Sequence, residues 1–322
     1  MLKSFSERIY LTGVGACMSL KEQILDRHKA LTAITSNLGQ VVVITGGSRG
    51  IGFEAAKKLI QNECMVIVGC RKIEEAERKL KEIPNSEGKF KVLPLDLQSL
   101  DSVRAFAGSV RETAPDIHVL LNNAGIMMSP HFETKDGFES QFQTNYLSHF
   151  LLSSLLLDRI RSRIVNVSSV AHVMAHRSTN WEDLQMKELY TPEGGYSNSK
   201  ADQIMFTKYL QSKIDESPNY KGKISVFALH PGVIYSDLYV HMPLGSVLKC
   251  LSGVLMKSQT QGGDTLIHAA LSPELDGLGG SYTENSQVVS ASTFVSDPAN
   301  QKKLWDKTLE ILGMDKFAPN LD

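Results

Sequence analysis

The chain has 322 residues, 42% of them hydrophobic and 21% charged, with a formal net charge of −1. This is the composition of an ordinary globular protein with ample material for a core, and it gives no electrostatic reason to expect nucleic acid as a partner. Cys17, Cys64, Cys70 and Cys250 show no paired spacing, which excludes a disulfide framework and a zinc site and places the chain in a reducing compartment.

Residues 1–38 carry no strong period. Ile9 to Leu20 is mildly apolar, flanked by Arg8 and Lys21, but is too short and too rich in Thr, Ser and small residues to span a bilayer. Two readings stand for 1–38: a plain N-terminal extension, which is the simpler, and a weak membrane contact.

Val41 to Gly52, VVVITGGSRGIG, then runs from a β-branched apolar strand into a glycine cluster. Ile51, Ala55 and Leu59 follow on one face at helical spacing. A strand, a glycine turn and a helix N-terminus suit a dinucleotide, because glycines let the backbone approach a pyrophosphate and the helix end favours its charge. The spacing Gly46-x-x-x-Gly50-x-Gly52 differs from the commoner G-x-G-x-x-G, and a turn of this kind is as often purely structural.

Met65 to Val68 is the second strand, ending at Gly69-Cys70-Arg71-Lys72, and a charged helix covers Ile73 to Ile83. Phe90 to Leu95 is the third strand, stopping at Asp96, with Ser99 placed to cap the next helix. Val119 to Leu121 is the fourth and ends in Asn122-Asn123-Ala124-Gly125. A long helix through Asn145 to Ile160 precedes the fifth strand, Arg163 to Val167, and an irregular insertion runs to Gly195. A helix from about Tyr196 to Ile214 leads to the sixth strand, Ile224 to Leu229, ended by His230-Pro231-Gly232. Strands alternating with helices imply a doubly wound parallel sheet of Rossmann type, three layers α/β/α, in a single domain over 39–322. Right-handed crossovers put the ligand-binding strand ends on one edge.

Those ends carry the chemistry. An acidic residue at the second strand would select NAD through the ribose 2′-hydroxyl; the chain has Arg71 there and Arg49 inside the glycine loop. Two arginines suit a 2′-phosphate, so NADP(H) is preferred with NAD(H) as the alternative, and solvated surface arginines are the plainer reading. Asp96 can accept from an adenine amino group or simply open a helix. Tyr196-x-x-x-Lys200 places phenol and ammonium on one helix face, where the ammonium lowers the phenol's pKa and the phenol can exchange a proton. Amphipathic surface neighbours share that spacing. Ser168-Ser169 follows the fifth strand, where serines also serve as turns and caps. Asn145 stands out in an apolar helix, either as a satisfied structural amide or as the holder of a water in a proton chain.

Together, in this order, the motifs resemble the short-chain dehydrogenase/reductase family. They are Thr45-Gly46-x-x-x-Gly50-Ile51-Gly52, Asn122-Asn123-Ala124-Gly125, Asn145, Ser168-Ser169, Tyr196-x-x-x-Lys200 and Pro231-Gly232, and the likeness extends from about residue 40 to 290. Asn145-Tyr-Leu-Ser-His-Phe, Arg163-Ile-Val-Asn-Val-Ser-Ser and the Trp181-Glu-Asp-Leu insertion resemble its retinol-dehydrogenase-like branch. Asn-Asn-Ala-Gly-Ile-Met-Met with Asp136-Gly-Phe-Glu is most similar to the X-linked dehydrogenase/reductase type of that branch. The resemblance implies Tyr196 as general acid/base, Lys200 as its pKa modulator and a ribose ligand, Ser169 as the orienter of the substrate oxygen, and Asn145 as support for a water relay. Cofactor contacts are implied at Gly46, Ser48, Arg49, Gly50, Ile51, Gly52, Arg71, Asp96, Leu97, Asn123, Ala124, Gly125, Tyr196, Lys200, Pro231, Gly232 and Val233. Ser236 falls near the nicotinamide carboxamide, and His230 is structural. The gap from Ser169 to Tyr196 is longer than the family's usual one, as in this branch.

The expected reaction is hydride transfer between a nicotinamide and an apolar alcohol or its carbonyl compound, of retinoid, sterol, prenol or long-chain type. A lid over about 236–262 would present Leu244, Val247, Leu248, Leu251, Val254 and Leu255, which otherwise pack on the core or meet a membrane. The implied location is cytoplasmic or peripheral on the cytosolic face of an intracellular membrane, with a homodimer left open. The alternatives are a catalytically idle dinucleotide-binding sensor or scaffold and, with less room for it, an isomerase or epimerase on the same fold.

Overall fold

The structure is a computed structural model and describes residues 39–234 and 256–321. The N-terminal extension, Ser236, the apolar face Leu244 to Leu255 and most of the expected lid lie outside the described residues. Eight strands form one sheet: β1 (Val41–Thr45), β2 (Met65–Cys70), β3 (Phe90–Pro94), β4 (Ile117–Asn122), β5 (Ile160–Val167), β6 (Ser225–His230), β7 (Tyr282–Glu284) and β8 (Gln287–Val289). Their spatial order is β3-β2-β1-β4-β5-β6-β7-β8, all parallel except the antiparallel β8. The strand order reverses between β1 and β4, and in such sheets the crevice beyond the strand ends at the reversal is where ligands bind.

The β1 residues show why the strands read as unbroken apolar runs. Val43 enters the core on one face, Val42 and Ile44 the core on the other, and all three are buried. Both faces are covered, as a parallel sheet requires. Helices α1 (Gly50–Gln61), α2 (Ile73–Lys81) and α6 (Gln259–Leu271) cover one face; α3 (Leu100–Thr113), α4 (140–156), α5 (Pro192–Glu216) and α7 (Pro298–Leu312) cover the other. On the second face Phe150 lies with its ring centroid 5.1 Å from those of Phe206 and Trp305 and 4.9 Å from that of Phe317. These rings pin the C-terminal segment to α4 and α5.

Helix α4 consists of three contiguous pieces: Ser140–Phe142, a π-helical Gln143–Leu147, and Ser148–Leu156. It ends earlier than its apolar pattern suggested. A single 3-10 turn, Leu157–Arg159, intervenes, and Ile160 already belongs to β5, where it pairs with Ile117 of β4. Helix α5 begins at Pro192, before Tyr196, because Thr191 caps it by accepting from the Gly194 N–H at 3.1 Å and Pro192 suits the first turn. Ser99 caps α3 as expected, accepting from Ser102 N–H at 3.1 Å. The insertion after β5 starts with a 3-10 stretch, Val170–Met174, and a short helical turn, Ala175–Ser178. Residues 259–262, placed in the lid by sequence, form the first turn of α6, which packs on α1 and is tied to it by the Lys58–Asp264 ion pair. No helix of the described residues is long and apolar enough to cross a membrane.

Candidate active site

The glycine turn is latched to the loop after β4 by Thr45. Its buried hydroxyl accepts the backbone N–H groups of Asn123 and Ala124, both at 3.0 Å, and lies 2.9 Å from His149 Nε2. His149 Nδ1 is 3.0 Å from the Asn145 carbonyl, which can only accept, so Nδ1 carries the proton. Burial pushes the His149 pKa down to about 4, so the ring is neutral and Nε2 accepts from Thr45. The Asn123 side chain donates to the Thr45 carbonyl at 2.8 Å and to that of Gly46 at 3.3 Å. Gly46 has φ +70°, and a Cβ there would stand 2.9 Å from the Ala124 Cβ, so this position excludes larger residues.

Above the latch the backbone is open. Gly50, at φ +59°, has nothing within 4 Å of where a Cβ would sit. It opens the 12-residue α1, whose N-cap residue, Arg49, makes no side-chain cap. An uncapped helix start facing free space fits a pyrophosphate.

Tyr196 and Lys200 share one face of α5, with Lys200 Nζ 5.7 Å from the phenol ring centroid. Nζ donates to the Val167 carbonyl at 2.8 Å and sits 3.5 Å from where a Cβ on Gly125 would be. Gly125 follows Ala124, which touches Gly46, so an unbroken line of neighbours joins the glycine turn to the Tyr–Lys pair. The Ser169 hydroxyl lies beside the phenol and lowers its pKa, and it accepts from Ala171 N–H at 3.2 Å. The Ser168 hydroxyl is already spent on the Lys200 carbonyl at 2.6 Å. Of the two serines, Ser169 is the one beside the phenol.

The electrostatics differ from the expectation for the phenol. Burial pushes Tyr196 up to about 12 and outweighs the lowering by Ser169, while burial also pushes Lys200 down to about 7. Among the described residues the phenol is therefore held protonated at neutral pH, with no depression of its pKa by the ammonium. Asn145, on the π-helical turn, is fully engaged. Its Oδ1 accepts from Ile126 N–H at 2.8 Å, and its Nδ2 donates to the Ile126 carbonyl and to Ser199 Oγ, both at 2.9 Å. Its own carbonyl receives His149 and the Gln203 side chain.

Arg49 and Arg71 are both exposed, one before α1 and the other just after β2. Thr45 pairs with Gly69 across β1 and β2, so the two loops leave the sheet at the same level. The Cys70 thiol at the end of β2 donates to the Lys72 carbonyl at 3.6 Å. Asp96 accepts from Gln98 N–H at 3.0 Å, and the carbonyl of buried Leu97 accepts from Ser148 at 2.6 Å. Pro231, Gly232 and Val233 follow β6 into the crevice, with Gly232 at φ +102° and the Val233 carbonyl accepting from Lys257 N–H at 2.9 Å. His230 is buried, and burial beside Lys257 pushes its pKa down to about 3.

Sequence reasoning gave no structural role to Thr45, His149 or Ser199. The one available signal was Thr45, a hydroxyl residue at the last position of an otherwise aliphatic strand.

A family model described as "short chain dehydrogenase" matches residues 40–181. The chain is 36% identical over 282 residues to retinol dehydrogenase 11 of Homo sapiens, covering 86% of each chain. It is 34% identical over 287 residues to human polyprenol dehydrogenase, covering 85% of this chain and 86% of the relative. Among solved structures it resembles an uncharacterized protein from Mycobacterium paratuberculosis, at 32% identity and a TM-score of 0.73, covering 89% of this chain and 98% of that one.

Proposed function

Because the chain belongs to the short-chain dehydrogenase family, in its retinol-dehydrogenase-like branch, and is an oxidoreductase acting on CH–OH groups, we propose that it interconverts an apolar alcohol and its aldehyde or ketone with NADP(H). The observation that carries this reading is the line of neighbours from Gly46 through Ala124 and Gly125 to Lys200, ending at a phenol beside Ser169. NADP(H), when bound, supplies hydride chemistry at its nicotinamide. The uncapped start of α1 and the Gly46–Gly52 turn would hold its pyrophosphate, Lys200 its nicotinamide ribose, and Pro231, Gly232 and Val233 would wall the ring. Exposed Arg49 and Arg71 favour the 2′-phosphate over a bare hydroxyl.

In the reductive direction Tyr196 gives its hydroxyl proton to the carbonyl oxygen, and Ser169 Oγ orients that oxygen. A phenol held at about 12 is fully protonated for this step. Lys200, on the same face of α5 with Nζ 5.7 Å from the ring centroid, stabilises the phenolate when it carries its charge. Asn145 keeps the loop after β4 in register with α5 through Ile126 and Ser199.

Apolarity of the substrate is supported by the surroundings of Tyr196, where Met127, Met128, Ala171, Val173 and Met174 cluster. Thioether side chains adapt to irregular apolar shapes. The names of the relatives, retinol and polyprenol dehydrogenase, agree with such a substrate. Alcohols of this class partition into bilayers, which makes a peripheral position on the cytosolic face of a membrane part of the same reading.

The test is NADPH oxidation by the full chain with retinal, a prenal and a linear long-chain aldehyde. At least one is consumed, and Tyr196→Phe lowers turnover by roughly 10²–10⁴-fold while NADPH affinity stays nearly constant. NADPH binding with no turnover of any panel member would reassign the chain as an idle dinucleotide binder.

A further inference from the structure

Met128 holds a left-handed backbone, φ +52°, a conformation that side chains outside Asn and Asp seldom adopt. Its N–H donates at 2.7 Å to Oε1 of Gln141, whose side chain is fully buried. Nε2 of the same amide donates to the Tyr190 hydroxyl at 2.8 Å and to the Pro192 carbonyl at 3.0 Å. The Tyr190 hydroxyl in turn donates to the Ser129 carbonyl at 2.7 Å. One amide therefore ties together the loop after β4, the end of the insertion, and the first turn of α5, which carries Tyr196. Gly195 makes the approach feasible: a Cβ there would stand 2.8 Å from Gln141 Nε2 and 2.9 Å from a Tyr190 ring carbon.

Gln141 and Asn145 act as two anchors four residues apart on α4. Asn145 brackets Ile126 on both backbone groups, Gln141 takes the Met128 N–H, and Met127 is suspended between them. Met127 and Met128 lie in the apolar cluster that contains Tyr196. Their side-chain positions relative to the phenol are set by a strained turn that persists only while it is over-determined by its surroundings.

We propose that Gln141 is a positioning residue for the substrate wall, and that Met128, held by it, determines which groups fit beside the reacting carbonyl carbon. This rests on the oxidoreductase reading for its kinetic consequence, but the anchor itself is a property of the fold. Gln141 reaches neither the phenol nor the glycine turn, so its loss acts on substrate fit and leaves cofactor binding and proton transfer in place.

The experiment compares the full chain with Gln141→Met and Gln141→Glu, both with NADPH present. In Gln141→Met, amides of 126–129 exchange hydrogen at least tenfold faster, and those of 200–214 do not change. KM for a bulky aldehyde rises about tenfold, kcat moves less than threefold, and the ratio of kcat/KM between a branched and a linear aldehyde shifts at least fivefold. The pH profile and NADPH affinity do not move. Gln141→Glu keeps an acceptor for Met128 but loses the paired donations to Tyr190 and Pro192, so it restores only part of the protection at 128–129. Where Gln141→Met does not fold, Tyr190→Phe gives faster exchange at 128–129. Unchanged exchange over 126–129 in Gln141→Met, or in Tyr190→Phe where that stands in for it, overturns the proposal, as does an unchanged substrate ratio. A wild-type chain that turns over no aldehyde or ketone overturns the enzymatic reading alone, and the exchange measurement then decides the anchor.

Discussion

Replacing Thr45 by Val tests the latch beneath the glycine turn. The change preserves the shape of the side chain and removes one hydroxyl that serves three groups: the N–H of Asn123, the N–H of Ala124 and the Nε2 of His149. His149 is almost wholly buried, so its nitrogen loses a partner that water cannot replace; the two amides are partly accessible and recover some solvation. An orphaned buried polar group costs about 1–3 kcal/mol, so one full penalty and two discounted ones give about 2–4 kcal/mol. That is a large fraction of the roughly 5–15 kcal/mol that keeps a domain folded. Thr45→Ser keeps the hydroxyl and loses one methyl, for about 1 kcal/mol. Urea unfolding at pH 7 separates the two variants. In the proposed function the loop after β4 borders the cofactor, so Thr45→Val is expected to weaken NADPH at least tenfold in a fluorescence titration, and Thr45→Ser is not. If the Val and Ser variants match within about 0.5 kcal/mol and bind NADPH equally, the hydroxyl is not the latch.

Acid should unfold this protein through its histidines. His149 and His172 are pushed down to about 4 and His230 to about 3 by burial, against an ordinary value near 6.5. The unfolded chain binds more protons between those values, so stability is complete above about pH 6.5 and is lost as pH falls towards 4; three groups give a slope of at most about 4 kcal/mol per pH unit. A urea midpoint that stays level from pH 7 to 5 contradicts this. Ser169→Ala is expected to lower kcat by roughly 10²-fold, in line with loss of a hydrogen bond to the developing charge, whereas Ser168→Ala costs about 1–2 kcal/mol of stability with kcat within about threefold. Steady-state kinetics in which the two serines trade places would reverse the assignment. Arg71→Ala and Arg49→Ala should each weaken NADPH by roughly tenfold or more while leaving NADH nearly unaffected, since a charge-assisted bond to the 2′-phosphate is worth about 1.5–3 kcal/mol. Equal losses for the two cofactors, or none for either, would show that the arginines do not select the 2′-phosphate.

What could be read from residues alone follows from how each signal is encoded. The strands β1, β2, β4, β5 and β6 were readable because helices cover both faces of the sheet, which forces unbroken β-branched runs. Tyr196 and Lys200 were readable because their relation is one turn of a single helix. The three-residue β7 and β8 are too short to show a period, and the end of α4 was overrun because the apolar LLLDRI also continues a helical pattern. The polar supports are a different case. Thr45 meets His149 across 104 residues, and Gln141 meets Tyr190 across 49. A side chain's partner at that distance leaves no spacing to find, and a buried Thr or Gln is as compatible with a strand or helix as an apolar residue of its size. Ser168 and Ser169 make the point at the smallest scale. They are identical neighbours, yet one is consumed by the Lys200 carbonyl and the other faces the phenol. The difference lies in which way each leaves the end of β5, and so in the placement of α5 rather than in either serine.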